Sequence, residues 1–346
     1  MGTKTSFQTY LTQMISLSII VPVYNVENYI RSSIESIYRQ GLDENSFEII
    51  IVNDGTNDKS MEMIADIIKE HSNITVLEQD NQGLSVARNN GIATAKGEYI
   101  FMPDSDDLLI DNSLPTLLNK AIETKADLIV ADFLRMDDKE IVKFEGVKEN
   151  PFHYVEKTGQ ELMLEDLNPG ECYVWRALYR RQFLIQEQIK FVPGVFFQDV
   201  PFTHECYLKA GKCIRTSMLL NIYRVHRKGA ATFSFNVRKA KNLCIVISKT
   251  WELRKYEHHT SQTLLKLEND VFASFSLLIS LTSYSNIRLS ERKDILKYLR
   301  ELAPDLFFKN GIKQQITSIL FRTMPNIYLD INIAYRKTKK YLKAHF

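Results

Sequence analysis

The most informative stretch of this chain of 346 residues is Glu98-Tyr-Ile-Phe-Met-Pro-Asp104-Ser-Asp106-Asp107. An apolar, strand-like run comes first, and three carboxylates follow within four residues. Carboxylates crowded at the end of a buried strand repel one another unless a positive group lies among them. A divalent cation with oxygen ligands, shared with substrate phosphates, is the usual group. The stretch therefore predicts a metal–diphosphate site, and the alternative is a solvated acidic turn, where Asp is also common.

The residues before this stretch alternate between strand-like and helical patterns. Apolar runs typical of strands lie at 16–23, 47–52, 74–77 and 98–102, and helical spacing lies at 27–39, 59–68 and 84–95. Such alternation with short joints predicts a largely parallel α/β sheet with helices on both faces. Ligands of these sheets bind beyond the carboxyl ends of the strands. We therefore expect Asn25, Asp54 and Asp104, which follow the first, second and fourth strands, to converge at one edge.

Five segments, in order and spacing, resemble the family 2 glycosyltransferases, which have the nucleotide-diphospho-sugar transferase (GT-A) fold. The segments are Ser18-Ile-Ile-Val-Pro-Val-Tyr-Asn25, Ile51-Val-Asn-Asp-Gly-Thr-Asn-Asp58, Asn81-Gln-Gly-Leu-Ser-Val-Ala-Arg-Asn89, Gly91 and Gly97-Glu-Tyr-Ile-Phe-Met-Pro-Asp-Ser-Asp-Asp107. The likeness is strong over residues 16–135 and continues weakly to about residue 230. Together the segments are specific, although each one alone is not.

The resemblance also implies how the chain is divided. We expect an N-terminal extension at 1–15, a GT-A domain at 16–234 and a helical C-terminal region at 235–346. Within the domain, residues 16–110 would form the nucleotide-binding half and residues 111–234 the acceptor half.

The resemblance implies a set of residues that bind the nucleotide-sugar: Pro22, Tyr24, Asn25, Asp54, Arg88, Asp104, Ser105 and Arg227. Pro22 and Tyr24 would shape the wall around the base, and Asp104 would contact the ribose. Asp54 would accept an N–H of the base, because an ionised carboxylate only accepts hydrogen bonds. Its alternative role is helix capping, which Asp58 could also perform.

Arg88 would reach the ribose or the diphosphate, or steady the carboxylates. Its alternative is a surface salt bridge, worth roughly 0–1 kcal/mol. Arg227 would clamp the diphosphate, because its forked guanidinium suits phosphate. For Arg227 and for His226 the alternative is an ordinary basic loop.

The resemblance implies that the cation is Mn²⁺ or Mg²⁺, held by Asp106 with support from Asp107 and with His226 as a further candidate ligand. No other phosphate-binding pattern competes, because the chain contains neither a GxxxxGK[ST] loop nor a GxGxxG pattern. The metal and a few basic groups must then balance the phosphate charge.

Inverting glycosyl transfer, the reaction that the resemblance implies, needs a base for the acceptor hydroxyl, and general-base help is worth roughly 10²–10⁴-fold. Asp199 in Phe197-Gln-Asp199 resembles the base of the family, and its alternative role is a plain helix N-cap.

Here the chain departs from the family, which has Glu-Asp where this sequence has Gln198-Asp199. The change removes a neighbouring negative charge, so we expect a lower pKa for Asp199 than in a Glu-Asp relative. Gln198 and Trp175 are weak candidates for acceptor contacts, with core packing as the alternative for the Trp and for Tyr173 and Tyr179.

These roles predict a cytoplasmic, metal-dependent, inverting glycosyltransferase of cell-surface polysaccharide assembly. The favoured donor is a UDP-sugar, and the acceptor is a glycan or a lipid-linked glycan. One alternative is a non-catalytic sugar-nucleotide-binding or scaffold protein, which Gln198 would suit. Another is a sugar nucleotidyltransferase, which would need a Gly-rich, basic loop where this chain has Pro22-Val-Tyr-Asn25.

Composition sets limits on partners and location. A net charge of +2 argues against a nucleic-acid partner. The four cysteines show no CxxC spacing, which disfavours a zinc site and favours buried free thiols in a reducing compartment. Residues 1–15 lack the pattern of a signal peptide, and residues 1–13 are expected to be dispensable.

Beyond about residue 235 the pattern becomes helical, with segments near 236–256, 261–283, 290–302, 311–323 and 326–343. None of these segments has the roughly 20 apolar residues that span a bilayer. The last segment ends in a basic run, Arg336-Lys-Thr-Lys-Lys340, with Lys343 beyond it. This end could rest on an anionic membrane surface at the inner face of the cell membrane, or it could be a solvated helix end.

Overall fold

The computed structural model describes residues 15–227, 235–284 and 286–345, without the side chains of residues 284 and 336–345. The extension expected at 1–13 and the side chains of the terminal basic run therefore lie outside the described residues.

Nine strands within the described residues form one sheet. They are β1 (Leu17–Val23), β2 (Phe47–Asn53), β3 (Ile74–Glu78), β4 (Tyr99–Phe101), β5 (Leu108–Leu109), β6 (Leu128–Met136), β7 (Tyr154–Lys157), β8 (Ala177–Arg180) and β9 (Cys213–Arg224). The order is β3-β2-β1-β4-β8-β6-β9-β5, and β7 also pairs with β9. The first four strands are parallel neighbours, as the alternating pattern predicted.

The second half of the sheet is mixed rather than parallel. β8 runs antiparallel to both β4 and β6, β5 and β7 run antiparallel to β9, and β6 and β9 are parallel. A parallel neighbour requires a crossover connection, usually a helix. The regular alternation of strand and helix stops near residue 110, so the expectation of a mainly parallel sheet applies only to the part of the sheet before that residue.

The helices of the sheet region are α1 (Ile30–Tyr38), α2 (Ala65–Glu70), α3 (Leu84–Thr94), α4 (Leu114–Thr124), α5 (Asp138–Val142), α6 (Gly159–Glu165), α7 (Arg181–Gln186) and α8 (Asp199–Lys209). They cover both faces of the sheet. Along β1, Leu17, Ile19 and Val21 pack in the core that contains α1 and α4, whereas Ile20 packs in the core that contains α3, α6 and α8. This two-sided burial explains why β1 is apolar at almost every position.

Within residues 235–284 and 286–345, five helices follow the sheet: α9 (Val237–Glu252), α10 (Ser261–Tyr284), α11 (Leu289–Leu302), α12 (Ile312–Thr323) and α13 (Pro325–His345). The first residue of each helix is within two residues of the start predicted from the sequence. They enclose a third core that includes Trp251, Phe275 and Phe308. In the described part of the chain, no helix combines the length and apolarity needed to cross a bilayer.

The C-terminal helices contact the sheet region through a buried polar link. His204 of α8 lies with its Nε2 3.1 Å from Oδ2 of Asp270 on α10, and both residues are almost fully buried. Lys266 donates to the same carboxylate at 2.7 Å. The helix that begins with Asp199 is therefore attached to the C-terminal helices by a charged group as well as by packing.

Candidate active site

Arg88 lies at the centre of the site and is fully buried. One guanidinium nitrogen donates to Oδ1 of Asp104 at 2.6 Å, and the other donates to Oδ1 of Asp199 at 2.9 Å. The guanidinium also lies 5.4 Å from the ring centroid of Phe191. Arg88 is held in place because α3 packs closely on β1: a Cβ at Gly91 would lie 2.3 Å from Ile20. The salt bridge is thus internal, and the alternative of a surface pair does not apply.

The predicted acidic cluster forms directly beside Arg88. Carboxylate oxygens of Asp104, Asp106 and Asp107 all lie within 4.8 Å of one another. Burial, together with the neighbouring carboxylates, raises the pKa of Asp104 to about 7 and raises the pKa of Asp107 well above its ordinary value. Ser105, between them, is buried.

The donor set of this cluster fits a divalent cation. Oδ2 of Asp107 is buried and has no hydrogen-bond partner among the described residues. Buried polar oxygens normally have a partner, and hard cations prefer carboxylate oxygens. Among the described residues, the group of side chains close enough to share a metal ion consists of the three aspartates and does not include His226. It is exposed at the edge of a cleft instead, so its role as a metal ligand stays a prediction.

Two arginines near the end of β9 face the cluster. Arg224 donates its backbone N–H to Oδ1 of Asp107 at 2.8 Å and its Nε to the carbonyl oxygen of Asp106 at 2.7 Å. Arg227 forms an ion pair with the carboxylate of Asp106. Both guanidinium groups lie over the ring of Tyr29, at 4.7 and 5.5 Å. Arg227 therefore lies beside the acidic cluster, and its role as a clamp for the diphosphate stays a prediction.

Asp199 is the first residue of α8 and lies across Arg88 from the acidic cluster. Burial raises its pKa, against the opposing effects of Arg88 and of a hydrogen bond from Gln198. The N-cap of the helix is Gln198, and it makes no side-chain capping bond. Asp199 is therefore not a capping residue. Its pKa lies above the ordinary value of 3.8 because burial outweighs the two favourable contacts.

Asp54 is almost fully buried and is used within the protein. Its Oδ1 accepts from the side chain of Gln79 at 2.7 Å and from the backbone N–H of Gln82 at 2.8 Å, and its Oδ2 accepts from the N–H of Gly83 at 2.9 Å. It thereby fixes the chain that enters α3 and so the helix that carries Arg88. Recognition of a nucleotide base by Asp54 stays a prediction.

A cleft of about 540 Å³ opens beside the cluster, and its lining includes Asn25, Tyr29, His226 and Arg227. Asn25 has a left-handed backbone with φ +55° and donates its N–H to Thr56. Tyr24 is exposed, whereas Pro22 is buried within β1. Of the predicted nucleotide-binding residues, Asn25 and Arg227 thus line the same open cleft, whereas Pro22 and Tyr24 are not part of its lining.

Trp175 is buried in an aromatic group. Its ring stacks on Tyr173 at 4.7 Å and also contacts Phe133 and Tyr223. The core-packing alternative describes this Trp and Tyr179, while Tyr173 is half-buried. A direct acceptor contact of Trp175 or Gln198 stays a prediction.

Three residues of the site were missed by sequence reasoning: Arg224, Phe191 and Tyr29. Arg224 lies in the basic segment that drew attention to Arg227, so its charge was a usable signal. Phe191 and Tyr29 carried none, because an aromatic side chain under a guanidinium is indistinguishable in sequence from one in a core.

Comparisons with known proteins bear on the family and the fold of this chain. The family model for Glycosyl transferase family 2 matches residues 18–186. An uncharacterized glycosyltransferase, EpsJ of Bacillus subtilis (strain 168), is 29% identical over 290 residues, which are 83% of each chain. The poly(ribitol-phosphate) beta-glucosyltransferase of Bacillus spizizenii is 28% identical over 216 residues, which are 62% of this chain and only 33% of that protein.

Among solved structures, S. aureus TarS 1–349 in complex with UDP-GlcNAc matches with a TM-score of 0.70 at 18% identity, over 93% of this chain and 92% of that one. At this identity the likeness concerns the fold. The motifs, the sheet that they build and the relatives that share them lead to one conclusion: this chain belongs to glycosyltransferase family 2 and has the GT-A fold.

Proposed function

We propose that this protein is an inverting, metal-dependent glycosyltransferase that moves a sugar from a UDP-sugar to a hydroxyl group of a glycan or lipid-linked acceptor. The observation that carries the proposal is the double salt bridge of Arg88, which binds Asp199 on one side and Asp104 on the other. The buried guanidinium of Arg88 thus lies between Asp199, the candidate base, and the acidic cluster. Transfer requires two such centres, one for the acceptor and one for the donor.

Asp199 is the proposed base. Within the described residues, its hydrogen bonds from Arg88 and Gln198 both fall on Oδ1, which leaves Oδ2 for an acceptor hydroxyl. The acceptor oxygen forms a bond to the anomeric carbon as the bond from that carbon to the diphosphate oxygen breaks. The hydroxyl proton moves to Asp199, and the nucleoside diphosphate leaves with the electron pair.

The leaving diphosphate must be met by positive charge. Asp106 and Asp107 are the residues that would hold Mn²⁺ or Mg²⁺, with Asp104 directed to the ribose. A bound divalent cation supplies Lewis-acid stabilisation of the leaving group. Arg227 already lies beside Asp106, and its forked guanidinium suits a phosphate oxygen.

Two similar proteins support the choice of donor and of pathway. The TarS fragment was crystallised with UDP-GlcNAc, and the B. spizizenii relative acts on poly(ribitol-phosphate). The similarity to these two proteins supports a UDP-sugar as the donor and a role for this protein in cell-surface polysaccharide assembly. All four cysteines are buried and free, which supports a reducing compartment such as the cytoplasm.

The test begins with a thermal-shift panel of nucleoside diphosphates with and without Mn²⁺. A ligand that binds the folded form raises its stability, by about 2.7 kcal/mol at a hundred times the dissociation constant. We expect UDP to raise the melting temperature in a metal-dependent manner. The second step measures release of UDP from UDP-sugars in the presence of Mn²⁺.

The second step separates an enzyme from a binding protein. Slow donor hydrolysis that depends on Asp199 supports the transferase. Nucleotide binding without any UDP release would favour the non-catalytic alternative, for which Gln198 in place of the family's Glu is the specific observation.

A further inference from the structure

The last two helices expose an unusual number of large apolar side chains. We call this set of side chains the isoleucine face; its members are Ile312, Ile316, Ile319, Met324, Ile327, Ile331 and Tyr335. Their exposed fractions lie between 44% and 77%. Single exposed apolar residues are normal on a protein surface, whereas a continuous set marks a binding surface.

Helix α12 is apolar on the side that faces away from the protein. Its isoleucines recur at i, i+4 and i+7 on that exposed side. The side packed on the protein is mixed, with the polar Gln314, Thr317 and Ser318 beside the apolar Leu320 and Phe321. Exposed isoleucines forgo hydrophobic stabilisation unless something else covers them.

Helix α13 continues the pattern after Met324. Tyr328 and Leu329 are buried in the C-terminal core, while Ile327 and Ile331 point to the outside. Helices α12 and α13 also pack against each other. The exposed apolar side chains thus extend over two adjacent helices rather than along one.

Charge identifies what covers this face. Between residues 309 and 346 the sequence has eight basic residues and one acidic residue, Asp330. Lys313 and Arg322 of α12 are both exposed; Lys313 follows Ile312 directly, and the guanidinium of Arg322 lies 5.8 Å from the ring of Phe307. A second copy of the chain would bring the same positive charge against itself. An anionic lipid surface would complement it, because apolar side chains enter the interface while Lys and Arg bind the headgroups.

We propose that the isoleucine face is a membrane-binding surface that takes an anionic lipid bilayer. This goes beyond the transferase reaction, and it assigns the membrane contact to α12 and the start of α13 rather than to the basic terminus alone. The protein lies on the bilayer without crossing it, and the apolar and basic side chains of the two helices act together.

The test is co-sedimentation of the full chain with vesicles of phosphatidylglycerol, compared with vesicles of phosphatidylcholine. We expect binding to phosphatidylglycerol that weakens as salt is raised. A triple variant, I312Q/I316Q/I319Q, should bind at least roughly tenfold more weakly. A matched control, I185Q/L265Q/L277Q, alters similarly exposed apolar residues on other helices and should bind as the unaltered protein does.

A second variant keeps the proposal testable should the triple variant fail to fold. K313Q/R322Q should weaken binding to phosphatidylglycerol by roughly fivefold for each charge removed and leave the melting temperature unchanged. UDP release without an acceptor should be unaffected in every variant, which separates this proposal from the proposed function. Absence of vesicle binding by the unaltered chain would overturn the proposal. So would light scattering that shows a dimer which the isoleucine substitutions convert to a monomer.

Discussion

The guanidinium of Arg88 lies 2.9 Å from the carboxylate of Asp199, although 111 residues separate the two in sequence. The same guanidinium holds Asp104 at 2.6 Å. Arg88 is therefore a positioning residue for both carboxylates, and most predictions about the site depend on this bridge.

The variant Asp199→Asn should lose transfer by at least about 10²-fold, because the amide cannot take the acceptor proton. It retains the size of the side chain, so UDP binding should be nearly unchanged. Turnover and the dissociation constant for UDP are the two measurements. Glu205→Gln on the same helix α8 is the control and should keep full activity. Near-normal turnover by Asp199→Asn would remove this residue as the base.

Replacing Arg88 by Ala should destabilise the fold by about 3–5 kcal/mol, because two partly buried carboxylates lose their shared cation. Arg88→Lys restores one charge but not the fork that reaches both partners, so it should recover only part of the loss. Urea denaturation of both variants gives these values. A loss below about 1 kcal/mol for Arg88→Ala would mean that the bridge behaves as a surface pair.

Activity should fall on the acid side at a pH above the ordinary Asp value. Burial raises the pKa of Asp199, so the carboxylate that acts as base is lost as the pH falls through that raised pKa. Gln198→Glu removes a hydrogen bond to Asp199 and adds a like charge, and both changes raise the pKa further. The acid limb of kcat/KM should therefore move to higher pH in this variant. An unchanged limb would contradict the assignment.

The ion pair between Arg227 and Asp106 predicts opposite effects on metal and nucleotide. In Arg227→Gln, Mn²⁺ alone should bind more tightly, because a competing cation has been removed from Asp106. UDP in the presence of saturating Mn²⁺ should bind more weakly, because a phosphate partner is lost. Isothermal titration measures both affinities. Asp106→Asn serves as the reference and should abolish metal-dependent UDP binding; equal weakening of both ligands in Arg227→Gln would refute the competition.

The strands and helices of residues 16–110 could be predicted from the sequence because their signals are local. Helix α3 was expected at 84–95 and occupies Leu84–Thr94, since apolar periodicity and Gly97 define it within one segment. The placement of Asp104 at the same edge of the sheet as the end of β1 was inferred from parallel strands, and β1 and β4 are parallel neighbours. The contact between Arg224 and Asp107 could not be predicted, because it joins residues 117 positions apart through the antiparallel pairing of β5 with β9.

The burial of Asp54 beneath the start of α3 shows a second kind of limit. A motif shows which residue type occupies a position. It does not show whether that side chain binds a ligand or holds the backbone of the following loop. Here three donors of the protein itself already bind that carboxylate. The same ambiguity applied to Asp199, where the structure excludes the capping role.

The buried link between His204 and Asp270 has a practical meaning for chimaeric enzymes. Exchanging the region around α8 with that of a relative would have to carry α10 as well, since His204 would otherwise be buried without its carboxylate partner. The natural unit for such exchange therefore extends past the sheet, into the C-terminal helices.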